Sequence, residues 1–400
     1  MQLKAPPQYR LRDIPAAVWT LGVVSLLMDA SSECIHALLP LYLVAVLNVS
    51  TLGVGVIEGV AEAAASITKV FSGALSDRMG DRKRLAVAGY GLAACSKPLF
   101  PLAGSLGWVL AARFVDRIGK GIRGAPRDAL IADLAPAHLR GASFGLRQAL
   151  DTVGAVVGPL LAILLMHLAS GRFRTVFWIA VIPAFLSLAL IAFGVREPAH
   201  DPRLHAVRSP LTPHLLRELG APFWWIVAVA SVFALARFSE AFLILRAQSI
   251  GLGAMLAPLV MIVMSVMYAA AAYPAGIVAD KTDRVLVLSI GFALLIIADI
   301  VLALARGPSG VMAGAAIWGL HMGVTQGLLS ALVAGAAPAN RRGAAFGIFN
   351  LLGGAAALAA SLIAGALWNA SGPKATFLAG AAFTAAALAG LAAIRGRLRA

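Results

Sequence analysis

Charged residues are scarce in this sequence. Asp, Glu, Lys and Arg together make up 13% of the 400 residues, whereas 60% of the residues are hydrophobic. Soluble domains carry about 25% charged residues, so this chain cannot cover itself with an ordinary water-exposed surface. Long apolar segments follow one another along nearly all of it, and this pattern predicts a polytopic membrane protein.

Cross-linking, catalytic and signal-peptide patterns are also missing. The two cysteines, Cys34 and Cys95, fall within predicted membrane spans and indicate no disulfide framework. The chain has no H-E-x-x-H, G-x-S-x-G or P-loop motif, so we expect a protein that is not an enzyme and needs no cofactor. The basic N-terminus leads directly into a span of full membrane length, which is not the pattern of a cleavable signal.

Basic residues outnumber acidic ones, and the formal net charge is +15. Twelve helical spans are predicted at 14–47, 51–76, 85–103, 106–134, 142–168, 174–195, 222–248, 254–279, 285–305, 311–337, 344–369 and 375–394. Lys and Arg concentrate at the termini and in the even-numbered connections, whereas the odd-numbered connections hold only Arg172, Arg174, Arg306 and Lys374. The positive-inside rule therefore places both termini in the cytoplasm, with the chain in the cell inner membrane. The basic excess is explained by topology, and we expect the lipid bilayer rather than nucleic acid as its partner.

The chain repeats itself after six spans. The segment "APAHLRGASFG" (135–145) matches "APANRRGAAFG" (337–347), and "GALSDRMGDRKR" (73–84) has a shorter partner in "GIVADKTDR" (276–284). We therefore predict an all-α membrane protein of two pseudo-symmetric six-helix bundles, residues 1–195 and 221–400, joined by a cytoplasmic linker at 196–220. Two bundles around a central cleft are an architecture of transporters.

Three motifs make the chain resemble the major facilitator superfamily (MFS) over its whole length. The loop after the second span follows the pattern G-x-x-x-D-R-x-G-x-R-K, with Gly73, Asp77, Arg78, Gly80, Arg82 and Lys83. The fourth span carries Arg117, Gly121 and Ala125, although Arg123 stands where a small residue is usual. The fifth span resembles the antiporter signature of the drug and metabolite exporters through Gly145, Gly154, Gly158 and Pro159.

The resemblance implies the MFS fold and secondary active transport by alternating access, in a monomer. Asp77 is then expected to meet a helix N-terminus or a basic group of the other bundle, and so to latch one orientation of the two bundles. The glycines of the fifth span give a slim face for close helix packing, and this motif favours export. Arg117 corresponds to the arginine of the family's fourth span and is expected to be a proton-relay partner.

Ionisable residues inside the predicted spans are candidates for function, since they are costly in a membrane. Asp29, Glu33, Glu58 and Glu62 come in pairs spaced by four, with few basic residues close in sequence. Four nearby carboxylates in a low dielectric cannot all stay ionised, so we expect proton coupling or substrate binding there; the alternative is static pairing with basic residues of the fourth span. Glu240 aligns with Glu33 across the repeat and is a further candidate.

Other charges in the first half are interpreted as structural or gating ion pairs. Arg147 and Asp151 are four residues apart on one helix, and Arg113 and Asp116 are three apart, so each pair is expected to form directly. Arg147 and Asp151 align with Phe349 and Gly353 in the second half, so the fold alone does not require these charges.

The remaining candidates are cleft residues: His36, Phe238, Phe242, His321 and Gln326. Aromatic rings suit a lipophilic substrate, and His36 shares a helix face with Asp29 and Glu33. Because Asp, Glu and His also suit a transition-metal ion, a metal site is an alternative, although no metal-ligand motif is present. The sequence thus predicts proton-coupled export of a small organic molecule; the alternative is an importer or a transporter of transition metals or metal chelates.

Overall fold

The computed structural model describes residues 13–79, 81–196, 219–338 and 342–394, and within these ranges the regular secondary structure is helical. The helices are α1 (Ala16–His36), α2 (Leu39–Ala45), α3 (Thr51–Met79), α4 (Arg82–Ser96), α5 (Leu99–Leu102), α6 (Leu106–Leu134), α7 (Arg140–Leu168), α8 (Phe173–Gly194), α9 (Gly220–Ala236), α10 (Ala241–Ser249), α11 (Leu259–Lys281), α12 (Arg284–Leu304), α13 (Pro308–Ala336), α14 (Arg342–Ser371) and α15 (Pro373–Ile394). Most of the predicted linker, residues 197–218, lies outside the described residues.

These helices make twelve crossings, three of which consist of two consecutive helices: α1 with α2, α4 with α5, and α9 with α10. Among the described residues, 10 crossings are long and apolar enough to span a membrane by composition alone. The two that fall short are α3 and α6, which carry the most charge. Both are long enough to cross, since each has 29 residues.

The first crossing of each half is broken in its second half, toward the end away from the termini. The first was predicted as one span, but α1 ends at His36 and α2 begins at Leu39. In the second half, α9 ends at Ala236 and α10 begins at Ala241, where the backbone nitrogen of Ala241 donates to Ser239 Oγ at 3.2 Å. Helix breaks at membrane depth are tolerated where they line a cavity.

The helices form two six-crossing bundles, α1–α8 and α9–α15, here called the first and second halves. In the first half α1 packs against α7 and α8, and α6 packs against α3 and α4. In the second half α13 packs against α11 and α12, and α15 packs against α9 and α12. The longest seam between the halves joins α3 to α14, and shorter ones join α7 to α11 and α2 to α10.

Glycines bring α3 and α14 into backbone contact. A Cβ atom added at Gly55 would lie 2.2 Å from the carbonyl oxygen of Ser361, and one added at Gly365 would lie 2.7 Å from that of Thr51. Real side chains do not tolerate such distances, so glycine is required for these helices to approach closely.

The buried apolar clusters of the described residues are shared between the halves at one end and separate at the other. One large cluster combines residues of α2 with residues of α10, and all its first-half members lie at the end away from the termini. We call this the distal end. At the opposite, terminal end, one cluster near Ile14, Val18 and Ile131 belongs to the first half, and another near Phe223 and Val333 belongs to the second. The halves thus share one apolar core distally and have separate cores terminally, although the α3–α14 and α7–α11 seams also join them.

Candidate functional site

Part of the predicted gating loop lies outside the described residues, namely Gly80, the surroundings of Gly73, and the side chains of Asp77 and Arg78. Arg82 contacts the carboxylate of Asp133 on α6, and Lys83 Nζ donates to the carbonyl oxygen of Ala192 on α8 at 2.8 Å. These two basic residues therefore tie α4 to its neighbours within the first half. The latch between the halves remains a prediction.

Two glycines of the antiporter-like motif face α1. A Cβ atom added at Gly154 would lie 2.8 Å from the carbonyl oxygen of Leu26, and one added at Gly158 would lie 2.9 Å from that of Ala30. Pro159 is buried within α7, whereas a Cβ at Gly145 would meet nothing within 4 Å. The motif thus sets how closely α7 packs against α1, the helix that carries Asp29 and Glu33.

A cavity of about 510 Å³ lies between the two halves and is called the central cavity here. The structure brings most of the predicted coupling and cleft residues to its wall. They are Glu33, His36, Glu58, Glu62, Arg117, Phe238, Glu240 and Gln326. The first-half wall is largely charged, whereas the second-half wall is mainly aromatic and apolar, with Phe233, Trp318, Met322 and Phe349 among its residues.

Asp29 lies elsewhere, in a cavity of about 390 Å³ that we call the terminal cavity. Glu33 and Lys120 line both cavities, so the two spaces adjoin. The terminal cavity reaches the seam between α7 and α11, and its rim includes Asp128, whose side chain is 42% exposed. Asp29 Oδ1 lies 3.5 Å from Arg123 Nη2, a loose contact within this cavity.

The expected Arg113–Asp116 pair is wrong, since each residue has a partner on another helix. Two nitrogens of Arg113 donate to the carboxylate of Glu58 on α3, at 2.7 and 3.2 Å. Asp116 Oδ1 lies 2.8 Å from Nζ of Lys97, the residue that directly follows α4, and Lys97 is fully buried. Spacing by three on α6 allows a pair, but these two side chains diverge to different neighbouring helices.

Glu58 is therefore not a free carboxylate, and it also links the halves. Ser239 Oγ, at the break between α9 and α10, donates to Glu58 Oε2 at 3.2 Å. Of the four acids Asp29, Glu33, Glu58 and Glu62, Glu58 is therefore the one that fits static pairing, the alternative to proton coupling.

Four other charged residues of the central cavity have no direct partner. Among the described residues, no side chain makes a hydrogen bond or an ion pair within 4.0 Å with Glu62, Lys120, Arg237 or Glu240. Two acids and two bases thus face the cavity with unused hydrogen-bonding capacity.

His36 is held by charged neighbours rather than arranged as a metal ligand. Its Nδ1 lies 3.2 Å from Arg117 Nη2 and 3.5 Å from Glu33 Oε1, and its Nε2 lies 3.8 Å from Asp116 Oδ2. A group of three His, Cys, Asp or Glu side chains able to hold a metal ion is absent from the described part of the chain. The metal alternative has no ligand set there.

Phe242 and His321 were predicted to line the cleft, but neither lines the central cavity. Both side chains are fully buried behind its wall. The ring of Phe242 packs edge-on against that of Phe238 at 5.6 Å, and His321 packs edge-on against Trp318 at 5.5 Å. They support the aromatic wall instead of lining the cleft.

Arg147 and Asp151 make the close contact that their spacing predicts, at 2.6 Å. They belong to a larger network in the terminal cavity, since Arg127 lies 3.9 Å from Asp151 and 3.2 Å from Asp128. Arg127 also donates to Ser25 Oγ at 2.9 Å.

Several cavity residues were not selected as site residues from the sequence: Lys120, Arg123, Arg127, Arg237, Trp318 and Phe349. The basic residues of α6 do carry a signal, because they recur at steps of three and four and so share one helix face. Trp318 and Phe349 have no comparable signal in a sequence this rich in apolar residues.

Similarity to known proteins assigns the chain to a family. The Major Facilitator Superfamily profile matches residues 21–351 and 241–397. An uncharacterized MFS-type transporter of Methanocaldococcus jannaschii is 33% identical over 377 residues, which cover 92% of each chain. Multidrug resistance protein MdtH of Yersinia enterocolitica is 28% identical over 206 residues, 50% of this chain and 49% of its own.

Solved structures share the fold at low sequence identity. The nucleoside transporter NupG aligns with a TM-score of 0.78 at 12% identity, covering 94% of this chain and 99% of its own. A POT family transporter in complex with a thioalcohol conjugated peptide aligns with a TM-score of 0.80 at 14% identity, covering 96% and 97%. The chain therefore belongs to the Major Facilitator Superfamily, and it is a membrane transporter rather than an enzyme.

Proposed function

We propose that this transporter exports a small organic molecule in exchange for protons, by alternating access. The observation that carries the proposal is the central cavity, which lies between two halves that share an apolar core at the distal end and have separate cores at the terminal end. Its wall offers unpaired acids and bases to a bound guest. A site between two rigid bundles is exposed to one side at a time when the bundles rock.

Proton coupling is assigned to Glu33 and Glu240. These residues occupy corresponding places in the repeat, Glu33 near the end of α1 and Glu240 at the start of α10, and both line the central cavity. Neither forms a close pair with an arginine or lysine, so each is free to exchange a proton with water in the cavity. Arg117 lies on the first-half wall with Glu33 and opposite Glu240, and it stabilises the deprotonated form of a carboxylate that rocking brings near it.

Asp29 extends this path into the terminal cavity, beside Arg123. Protons that leave Glu33 would pass it on the way to the terminal end. Glu62 offers a further carboxylate in the central cavity, whereas Glu58 is occupied by Arg113.

Export requires that the terminal end face the cytoplasm. The concentration of basic residues at the termini and in the even-numbered connections supports this orientation in the inner membrane. The antiporter-like glycines of α7 support export, as does the likeness to a multidrug resistance protein. The substrate enters from the side on which the halves are separate.

The test is substrate-driven proton movement in proteoliposomes that contain a pH-sensitive dye. Lipophilic cations, amphiphilic drugs, organic acids and divalent metals are added in turn to wild type and to the Asp29→Asn, Glu33→Gln variant. We expect an organic compound to move protons in wild type and not in the variant. Asp13→Asn, which removes an exposed carboxylate before α1, serves as the matched control and keeps the signal.

Three outcomes would contradict parts of the proposal. Proton movement that survives in the double variant would assign proton coupling to Glu62 or Glu240 instead. The Glu240→Gln variant then distinguishes between these two residues. Accumulation of the compound along the proton gradient indicates an importer. A response to metals alone replaces the organic substrate with the metal alternative.

A further inference from the structure

The basic residues of α6 form a continuous stripe between the two cavities. Arg113, Arg117 and Lys120 line the central cavity, and Lys120, Arg123 and Arg127 line the terminal cavity. Steps of three and four residues keep all five on adjoining faces of one helix. The stripe thus runs from the middle of the molecule toward its terminal end.

Among the fully buried side-chain atoms of the two cavities, donors without a partner outnumber acceptors without one. Four buried guanidinium nitrogens have no acceptor among the described residues: Arg113 Nη1, Arg117 Nε, Arg123 Nη1 and Arg147 Nε. Asp151 Oδ1 is the one buried carboxylate oxygen of the two cavities without a donor in the same part of the chain. Lys120 adds an ammonium group without a partner. Buried donors that lack acceptors are costly, and a bound oxyanion supplies the acceptors that are missing.

The fold does not need this stripe, as its repeat in the second half shows. With "APAHLRGASFG" (135–145) aligned to "APANRRGAAFG" (337–347), the stripe falls on α13 at Ala315, Gly319, Met322, Thr325 and Leu329. The same helix is therefore built without a single charge at these positions. A feature that is costly in a membrane and unnecessary for the fold points to a ligand.

The opposite wall of the central cavity suits an apolar group. Phe233, Phe238 and Trp318 present aromatic rings there, and Met261 and Met322 present flexible side chains. The rings of Phe238 and Trp318 are held 5.4 Å apart by the packed aromatic cluster behind them. A guest that bridges both walls carries an anion at one end and an apolar body at the other.

We propose that the substrate is an amphiphilic anion, with a carboxylate or phosphate head and an apolar body. The head moves along the basic stripe of α6 while the body rests against the aromatic wall. When no anion is bound, Asp29, Glu58 and Asp151 pair with the arginines. Lys120 has no acid partner within 4.0 Å among the described residues and lines both cavities, so it is the first residue to bind the anionic head in either cavity. This inference rests on the proposed transport function and specifies its substrate.

Binding to the purified full-length transporter in nanodiscs tests the inference. The probes share a naphthalene body and differ in the head: 2-naphthoate, 2-naphthyl phosphate, 2-naphthylmethylammonium and 2-naphthalenemethanol. We expect one or both anions to bind at least tenfold more tightly than the ammonium and neutral probes. Acetate and inorganic phosphate, which lack the body, are expected to bind at least tenfold more weakly than the matching anion.

Variants of Lys120 assign the effect to the stripe. Lys120→Gln is expected to weaken anion binding at least tenfold and to leave the neutral probe unchanged, and Lys120→Arg is expected to restore binding. Because no acid of the described residues lies within 4.0 Å of the Lys120 ammonium group, neither variant breaks an ion pair, and thermal unfolding checks that both fold. Lys374→Gln, an exposed lysine at the start of α15, is the matched control.

Each outcome either supports or overturns the inference. Equal or tighter binding of the ammonium probe, absence of binding by both anions, or a Lys120→Gln variant with normal anion affinity overturns it. Proton movement driven by the ammonium probe overturns the inference and leaves the proposed function standing. Selective binding of an anion that moves no protons supports the inference and contradicts proton exchange.

Discussion

Lys97 is the most deeply buried cation of the molecule's described part, and its contacts show what an ion pair does in a membrane interior. Its ammonium group lies 2.8 Å from Asp116 Oδ1 and 2.8 Å from Ser32 Oγ, so α4, α6 and α1 meet at this point. Neither charge reaches water, and each is tolerated because the other is present.

We predict that Lys97→Met destabilises the protein by about 3–5 kcal/mol, because it leaves the Asp116 carboxylate buried and unpaired. Thermal unfolding in detergent micelles measures the change. The Lys97→Met, Asp116→Leu double variant removes both charges and is expected to recover most of the stability. A double variant less stable than Lys97→Met would show that the pair itself, not the orphaned charge, determines the loss.

A second prediction concerns the hydrogen bond from Ser239 to Glu58, which joins the halves. Hydrogen bonds to charged groups contribute about 1.5–3 kcal/mol, so Ser239→Ala is expected to favour separation of the halves at the distal end. Spin labels on α2 and α10 report the distance between them by pulsed electron resonance, and we expect a larger population at long distances.

Ser289→Ala is the control for this experiment. Ser289 Oγ donates within its own helix, to the carbonyl oxygen of Val285 at 2.8 Å, so its loss does not touch the seam. An unchanged distance distribution in Ser239→Ala would show that the bond to Glu58 does not hold the distal end closed.

Sequence reasoning at the residue scale succeeds where partners share a helix and fails where they do not. The spacing of Arg147 and Asp151 predicts a contact that the structure contains. Arg113 and Asp116 have similar spacing, but the partner of Arg113 lies 55 positions away in the chain. Local spacing gives the geometry of one helix, and it carries no information on which side chain of a neighbouring helix competes for the same charge.

At the scale of helices, the α3–α14 seam depends on the absence of side chains. We predict that Gly55→Ala costs about 1–3 kcal/mol through overpacking, because the added methyl meets a backbone oxygen that cannot move aside. The thermal unfolding temperature and transport in proteoliposomes are both expected to fall. Gly327→Ala is the control, since a Cβ there meets nothing within 4 Å; equal effects of the two changes would contradict the proposed role of the seam.

The helices themselves were largely predictable, and their breaks were not. Apolar runs and turn residues placed all twelve crossings close to the observed helices, because lipid leaves the backbone no other structure. The interruption at residues 37–38 falls on Ala37 and Leu38, and hydropathy does not register it, since hydropathy measures the side chains and not the path of the backbone. The interruption at residues 237–240 contains Arg237 and Glu240, but an average over a whole span does not resolve so short a polar stretch.

At the scale of the whole molecule, the separate terminal cores predict which positions water reaches. In a background with Cys34 and Cys95 replaced by Ser, we expect Thr152→Cys, in the terminal cavity, to react with a membrane-impermeant maleimide at least tenfold faster than Phe242→Cys, which is fully buried. Labelling in inside-out vesicles is expected to exceed that in right-side-out vesicles. The reverse preference would place the terminal end outside the cell.

The shared distal core also bears on leakage. Under the proposed proton exchange, a transporter that opened on both sides at once, or changed sides with a proton but without substrate, would let protons run down their gradient. To change sides the molecule must part the apolar cluster formed by α2 and α10, at about 25 cal/mol for each Å² of apolar surface exposed to water. Every 1.4 kcal/mol of that cost makes an unproductive opening about tenfold rarer. The apolar side chains of this cluster, and not only the carboxylates, would thus set the rate of proton leak when no substrate is bound.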